Sequence, residues 1–453
     1  MTAIQRIRQF CPAYRQLLVL GLPILAGQLG TVTVGFADNI MVGRYSTDAL
    51  ASASFVNNLF NTAVFALLGF TYGLTPLAGA LFGSGQRERI GAMTRNALWL
   101  NIVFSLLVTA MMAIVYLFVD RLGQPAHLLP LIRPYFLLDL GGLVAVAVFN
   151  VLAQWCYAIN NTALPMWIIL GANSLNILGN YLLIYGKCGL PEMGLTGAGI
   201  ATLAARFAAM FALLGFLLLS RRFRAYRDGF LHTRCNRGDT RRLALTSLPV
   251  SLQMTFESGS FTAAAVMTGW LGAIPLASFQ IAVIIGMLGF TIYYSVGSAI
   301  SIKVANAAGE NDVPMMRHYA WAGYHIMLLI MTCSSLIFIF AGRIIMGAFS
   351  TDAAVLALAS TLIFPLVLYQ LGDATQITFA NALRGTSHVM PMLWIAFFCY
   401  VIIGIPATYL LGFPAGLGTY GILLSFSVSL FAAGALFLFF FLRATRKDLK
   451  NAK

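Results

Sequence analysis

The sequence predicts an all-α polytopic membrane protein in which twelve transmembrane helices form two homologous lobes of six helices. The composition and an internal repeat predict this fold. Of the 453 residues, 60% are hydrophobic and only 9% are charged, whereas soluble domains carry about 25% charged residues. Apolar runs of about 20 residues, the length that crosses a bilayer, recur along the whole chain.

Twelve apolar runs can be counted, six in each half of the chain. They cover approximately residues 14–42, 52–78, 93–118, 131–156, 162–185, 195–219, 244–270, 278–303, 318–341, 354–380, 391–412 and 418–442. The first run has no small-residue cleavage site and belongs to the repeat. We therefore expect no cleavable signal peptide.

The second half of the chain repeats the first. The run LPILAGQLGTVTVGFADNIMVG, which begins at residue 22, aligns without a gap with LPVSLQMTFESGSFTAAAVMTG, which begins at residue 248. The same offset pairs Pro165 with Pro391. Six helices in each half give both copies the same orientation in the membrane, and membrane chains with such halves are usually transporters.

The net charge of +14 is concentrated on one side of the predicted membrane. The two tails, the polar stretch between the halves and three further loops hold 22 of the 28 basic residues, and the other side holds five. The positive-inside rule makes the basic side cytoplasmic. The charge thus predicts an orientation in the lipid bilayer and no nucleic-acid partner. We expect a multi-pass protein of the bacterial inner membrane with both termini in the cytoplasm.

The polar stretch SRRFRAYRDGFLHTRCNRGDTRR separates the two halves. It predicts an N-lobe over residues 1–219, a basic cytoplasmic loop over 220–243, and a C-lobe with a basic tail over 244–453. Within these lobes the chain contains no P-loop, HExxH, GxSxG or DDxxD-like motif. Its six cysteines show no metal-binding spacing. We therefore expect neither an enzyme nor a cofactor, and an ion gradient as the energy source.

Three acidic residues lie clearly inside apolar runs, and Asp139 lies nearer the outer end of another. A charge at the bilayer centre costs about 2.5–3.5 kcal/mol on insertion scales, so such residues usually face a partner or an aqueous cavity. The three are Asp38, Glu257 and Asp373. A structural salt bridge or a neutral buried carboxyl remains the alternative to a functional role.

In the N-half, Asn176 and Asn180 share one helix face because they are four residues apart. With Asp38 and with Thr202 on the next span, they form a predicted set of oxygen ligands for Na⁺, or a site for H⁺. Asparagines also join membrane helices by packing and hydrogen bonds alone. Arg206, four residues after Thr202, either pairs with a carboxylate that titrates or forms a permanent structural bridge, for which Asp38 is the expected partner. Asp139 is a second candidate modulator.

In the C-half, Glu257 and Asp373 are joined by Tyr369, four residues before Asp373. Na⁺ is the candidate metal ion for these three side chains. The repeat places non-acidic residues opposite each acid, so the fold itself does not require an acid there. The pairs are Asp38 with Ala264, Glu257 with Thr31, and Asp373 with Ala147. The high aromatic content suits flat organic cations, although Phe also faces lipid.

These segments resemble the MATE family of multidrug and toxic compound extrusion transporters. The opening run with Asp38, the segment NILGNYLLIYGKCGLPEMGLTGAGIAT, and YQLGDATQITFANALRGT carry the resemblance, and the C-half acids with Tyr369 resemble its NorM branch. The resemblance implies a V-shaped pair of six-helix lobes that exports cationic, aromatic drugs against Na⁺ or H⁺ by alternating access. It implies an ion or proton site at Asp38 and a cation site at Glu257 and Asp373. We expect a monomer.

Two other functions are weighed against this interpretation. A flippase for lipid-linked precursors, from the same superfamily, would favour a basic cavity and often fourteen helices, and so the acidic residues and twelve runs argue against it. A membrane enzyme would need a catalytic motif.

Overall fold

The computed structural model describes residues 3–349 and 352–451, with side chains over 9–349 and 352–446, and these residues form helices and turns without a strand. In the first half the α-helices are α1 (Ala3–Tyr45), α2 (Thr47–Thr71), α3 (Leu74–Gly83), α4 (Arg87–Leu117), α5 (Leu129–Ala158), α6 (Ala163–Ile184), α7 (Gly194–Leu219) and α8 (Arg224–His232). In the second half they are α9 (Arg237–Trp270), α10 (Ala273–Gly309), α11 (Val313–Gly347), α12 (Ala353–Thr361), α13 (Ile363–Gly385), α14 (Met390–Ala396), α15 (Ile405–Gly412) and α16 (Gly418–Asn451).

Each of the twelve predicted runs lies in a helical segment, which confirms the all-α polytopic fold. Among the described residues, ten segments are long and apolar enough to cross a membrane. Helices α12 and α13, bent by 44° where they meet, qualify together as an eleventh. Helix α9 holds the remaining run. It is long enough at 34 residues, but Ser, Thr, Gln253 and Glu257 interrupt its apolar residues and lower its hydropathy.

The chain forms two compact units. One unit is Ala26–Ser251, and the other combines the chain before Ala26 with the chain after Ser251. The divisions fall inside α1 and α9, two residues after Pro23 and Pro249, which are equivalent positions of the repeat. The predicted inter-lobe loop, 220–243, lies within the first of these units.

The unit Ala26–Ser251 places helices α4, α5 and α7 around a core that includes the fully buried Trp155. The polar stretch after α7 was expected to be a loop, but it contains α8, an amphipathic helix that packs on α4. Gly91 of α4 allows this close approach, because a Cβ there would collide with the carbonyl oxygen of Tyr226.

In the other unit, α13 packs against α10, α11 and α16. From Gln376 to Gly385 every residue of α13 is buried. Gly372 permits the contact with α16, since a Cβ there would lie 3.0 Å from Cβ of Leu430. A π-helical stretch, Phe397–Gly404, follows α14 and places Tyr400 inside the unit. Such stretches are rare and often occur at functional sites.

Candidate functional sites within the two units

The four polar residues predicted for the N-half lie together in the unit Ala26–Ser251. Nδ2 of Asn180 donates to Oδ1 of Asp38 at 2.5 Å. The amide orientation of Asn176 that satisfies both of its polar atoms donates from Nδ2 to the same Asp38 oxygen at 2.9 Å and accepts from the Thr202 hydroxyl at 3.0 Å. The cluster thus joins helices α1, α6 and α7.

Small residues allow α6 and α7 to approach closely enough to build this cluster. A Cβ at Gly179 would lie 2.9 Å from Cβ of Ala201, and one at Gly197 would lie 2.7 Å from the backbone of Leu183. Close contacts of this kind are typical of membrane helix pairs. The one-turn spacing of Asn176 and Asn180 then aims both amides at α1.

The cluster combines one carboxylate with side chains that are neutral. Asn176 and Asn180 are buried, whereas Asp38 is partly exposed. Both amides donate to Asp38, so the ionised carboxylate is held by charge-assisted hydrogen bonds. Oδ1 of Asn180 is buried and has no hydrogen-bond partner in the structure. If the side-chain amide of Asn180 rotated by half a turn, its oxygen would face Asp38 and could bind a cation there. Protonation of Asp38 would require no such rotation.

Arg206 pairs with Asp139, whereas the sequence had suggested Asp38 as its partner. Nη1 of Arg206 lies 2.7 Å from Oδ1 of Asp139, whose side chain is only 5% exposed. Gly142 makes room for the guanidinium, since a Cβ there would lie 2.5 Å from Nη1. No ion pair joins Arg206 to Asp38 among the described side chains. The structure therefore pairs this cation of α7 with an acid of α5, and Arg206 takes no part in the hydrogen bonds of the amide cluster.

The C-half acids lie together in the other unit. Asp373 and Tyr369 are both buried on α13, and Glu257, on α9, lies close enough to Asp373 for the two carboxyl groups to interact electrostatically. The hydroxyl of Tyr369 occupies the space that a Cβ at Gly286 would take. Two carboxylates in apolar surroundings repel each other unless a proton or a cation neutralises one of them. The arrangement can therefore bind a cation or share a proton.

Sequence reasoning missed two partners of Glu257. Nε2 of Gln253 donates to Oε2 of Glu257 at 2.8 Å. The buried phenol of Tyr400 also lies beside Glu257. The four-residue spacing of Gln253 and Glu257 could have revealed the first partner. Nothing in the sequence signals Tyr400, which the π-helical stretch brings inward.

A second polar group lies near Asp373 and was not predicted either. The hydroxyls of Tyr293 and Ser334 contact Oε1 of Gln370 at 3.0 Å and 2.7 Å. Nε2 of Gln370 is buried without a hydrogen-bond partner in the structure. Buried networks of this kind fix side-chain positions where their bonds are satisfied. This one holds α10, α11 and α13 together beside the acids.

No group of three or more His, Cys, Asp or Glu side chains suited to a metal ion occurs in the described part of the chain. The six cysteines are free thiols. An ion site among the described residues would therefore be built from carboxylate, amide and hydroxyl groups.

Comparison with known proteins decides the family. The MatE family model matches residues 23–182 and, again, residues 249–410. The chain belongs to the MatE family. Members of this family are secondary transporters, so this chain is a transporter and not an enzyme. The two MatE matches begin at Pro23 and Pro249, the equivalent prolines of the internal repeat.

Among curated relatives, "Probable multidrug resistance protein NorM" of Xanthomonas campestris pv. campestris is 30% identical over 401 residues, which are 88% of this chain and 87% of that protein. "Multidrug resistance protein MdtK" of Pectobacterium atrosepticum is 29% identical over 412 residues, 89% of each chain. Among solved structures, the eukaryotic MATE transporter AtDTX14 is similar with a TM-score of 0.87 at 18% identity, over 98% of this chain and 100% of that one. That likeness supports the MatE fold.

The MatE matches contain most of the candidate residues. The first match includes Asp38, Asn176 and Asn180, and the second includes Glu257, Tyr369 and Asp373. Thr202 and Arg206 lie in the stretch between the matches.

Proposed function

We propose that this MatE chain is a multidrug efflux antiporter that exports small organic cations, aromatic ones above all, in exchange for Na⁺ or H⁺. The observation that carries the proposal is that each compact unit holds acidic side chains within apolar helices, among uncharged polar groups. Acids inside a membrane usually mark ion pathways. The names of the NorM and MdtK relatives support multidrug export.

In the unit Ala26–Ser251, the coupling ion acts through Asp38. Hydrogen bonds to an ionised carboxylate are about twice as strong as bonds between neutral groups. When H⁺ or Na⁺ neutralises Asp38, its bonds from Asn176 and Asn180 weaken, and this part of α1 is less firmly held to α6. The carboxylate is then a two-state element whose equilibrium the ion biases.

In the other unit, ion and substrate compete for Glu257 and Asp373. Na⁺ prefers oxygen ligands, which the two carboxylates and the Tyr369 hydroxyl supply. A cationic substrate satisfies the same negative charges, so one occupant excludes the other. This competition is the basis of exchange. We favour Na⁺ as the coupling ion, with H⁺ competing for the same groups.

The direct test is transport in everted membrane vesicles with ethidium as the fluorescent cation. A Na⁺ gradient and an H⁺ gradient are imposed separately, and ionophores that collapse each gradient serve as controls. We expect ethidium to accumulate against its gradient under at least one of them and to stop when that gradient is collapsed. Accumulation that neither gradient drives would contradict the proposal.

We further propose that the transporter acts as a monomer in the bacterial inner membrane with both termini in the cytoplasm. Two native cysteines test the orientation, because both are exposed and they lie on opposite predicted sides. Variants that keep only one of these cysteines are expressed in cells, and intact spheroplasts are treated with a membrane-impermeant maleimide. The reagent should label Cys188 and not Cys235. Labelling of Cys235 alone would show that the orientation is the reverse of the one proposed.

A further inference from the structure

The exposed apolar face of α7 ends directly at two exposed arginines. Helix α7 is one of the candidate membrane spans, and Phe216 and Leu219 near its end are 47% and 82% exposed. A 3₁₀ turn, Arg221–Phe223, then joins α7 to α8. Arg221 and Arg222 are exposed in this turn. Arginines at the end of a span extend their charged groups into the headgroup layer of the bilayer. The turn is therefore placed at headgroup depth.

Helix α8, which follows this turn, is held in a fixed position on α4. A Cβ at Gly229 of α8 would lie 2.0 Å from the carbonyl oxygen of Glu88, so the two backbones are in direct contact. At the end of α8, Nη1 of Arg95 donates to the carbonyl oxygens of Leu231 and Thr233 at 3.0 Å and 2.7 Å. These contacts hold both ends of α8, and with them the side chains that α4 and α8 present at the surface.

Arginines from α4 and from the turn before α8 meet beside one phenol. Tyr226 is buried on α8, and Arg87 and Arg222 both lie close enough to its phenol to interact electrostatically with it. Both arginines are exposed, and neither forms an ion pair with a carboxylate among the described side chains. Asp228, the acid of α8, lies 3.7 Å from Arg224 instead. The surface around Tyr226 thus has an excess of positive charge.

We propose that Arg87 and Arg222, on either side of Tyr226, bind the headgroup of an anionic phospholipid in the adjacent leaflet. Guanidinium groups bind phosphate through paired hydrogen bonds, and basic clusters beside membrane spans recognise anionic lipids. The acyl chains of the same lipid lie along Phe216 and Leu219 of α7. A free phosphate ion has no part that contacts this apolar face, so the surface selects a lipid over a soluble anion. This inference concerns the bilayer around the protein and does not depend on which substrate is exported.

The test measures lipid binding to the purified wild-type protein in detergent by native mass spectrometry. Palmitoyloleoyl phosphatidylglycerol is compared with palmitoyloleoyl phosphatidylcholine, which has the same acyl chains and a phosphate but no net charge. We expect phosphatidylglycerol to bind about tenfold more tightly, because two guanidiniums attract its net charge. Equal binding of the two lipids would overturn the proposal. Displacement of phosphatidylglycerol by an equal concentration of inorganic phosphate would also overturn it, since the site would then take a soluble anion.

A matched pair of variants locates the binding surface. Arg87→Gln/Arg222→Gln should weaken phosphatidylglycerol binding about tenfold and leave phosphatidylcholine binding unchanged. Arg234→Gln/Arg237→Gln is the control, because it removes the same charge from two exposed arginines of the same polar stretch, and it should bind phosphatidylglycerol as the wild-type protein does. Equal weakening by the two double variants would indicate a general attraction of charge and overturn the proposed site.

A single variant replaces the double variant if that protein does not fold. Arg222→Gln changes one exposed residue of a turn and should weaken phosphatidylglycerol binding about threefold. Thermal unfolding in the absence of lipid checks that each variant is folded. Wild-type affinity of folded Arg222→Gln for phosphatidylglycerol would overturn the proposal.

Discussion

The amide nitrogen of the fully buried Asn180 lies 2.5 Å from a carboxylate oxygen of Asp38. This contact joins α6 to α1 and brings a neutral donor to an acid that lies in an apolar helix. Because the bond is strongest when Asp38 is ionised, its strength depends on whether an ion or a proton is bound. Changes at either residue should therefore affect coupling and packing differently.

Asp38→Asn should reduce gradient-driven ethidium export at least tenfold and leave the protein folded. The amide cannot ionise, yet its oxygen still accepts from Asn180, and it carries no charge to desolvate. Export in everted vesicles and thermal unfolding of the purified protein are the two measurements. Asp48→Asn is the matched control, because Asp48 is an exposed acid of the same unit, and it should export at the wild-type rate. Normal export by Asp38→Asn would remove Asp38 from the coupling mechanism.

Asn180→Leu should lower stability by about 1.5–3 kcal/mol, since it removes a donor from a charged acceptor. The same change in an Asp38→Asn background should cost clearly less, because the acceptor is then neutral. A double-mutant cycle on the free energy of unfolding measures this difference. Additive costs in the cycle would mean that the contact between the two side chains contributes nothing.

Glu257→Gln and Asp373→Asn should each abolish ion-coupled export without lowering thermal stability. Each change removes one of two neighbouring acids whose charges repel each other, so it relieves an unfavourable interaction. Export and the apparent Tm are measured for both variants. Glu310→Gln, which changes an exposed acid of the same unit, is the control. Wild-type pumping by either the Glu257→Gln or the Asp373→Asn variant would show that the coupling assignment in this unit is wrong.

Purified protein should bind radioactive ²²Na⁺ saturably at alkaline pH, where carboxylates are ionised. Lowering the pH should displace the label, because protons compete for the same oxygens. The Glu257→Gln/Asp373→Asn double variant should bind clearly less ²²Na⁺ than the wild-type protein, because it lacks these two carboxylates. Absence of saturable binding by the wild-type protein at alkaline pH would indicate coupling to H⁺ alone.

Arg206→Ala should destabilise the protein by about 3 kcal/mol, because it leaves the buried Asp139 carboxylate without its cation. Replacing both residues at once, as Arg206→Gln with Asp139→Asn, should recover most of that loss. Unfolding free energies of the three variants are compared with export rates. If Arg206→Ala retains wild-type stability, the ion pair has no structural role.

The fold was predictable because its signals are spread over the whole chain. Long apolar runs and the repeat predict the helices. They predict α9 as well, although its polar residues make it less hydrophobic than the other candidate spans. The break at Leu362 between α12 and α13 has a local signal that a count of apolar residues overlooks, because Pro365 has no N–H to bond the carbonyl of Thr361 and kinks a helix at that turn.

The candidate sites were predictable where residues share one helix face. The spacing of Asn176 and Asn180 predicts two amides that act together, and the structure brings both to Asp38. The partner of Arg206 could not be identified from the sequence, which suggested Asp38, because only the packing of α5 on α7 brings Asp139 to it. Contacts that join distant segments, such as Tyr400 beside Glu257, leave no local signal.

The division of the two units after Pro23 and Pro249 has a consequence for splitting the gene. A fragment that ends at residue 219 lacks the start of α9, and its first 25 residues belong with the other unit. Neither half of the reading frame therefore encodes a complete unit. If the chain is cut within the polar stretch 220–243, the two co-expressed fragments complement each other only when the first 25 residues of one fragment and the residues of the other up to Ser251 each pack in the unit to which they belong. Ala26–Ser251 is the contiguous stretch that contains one whole unit.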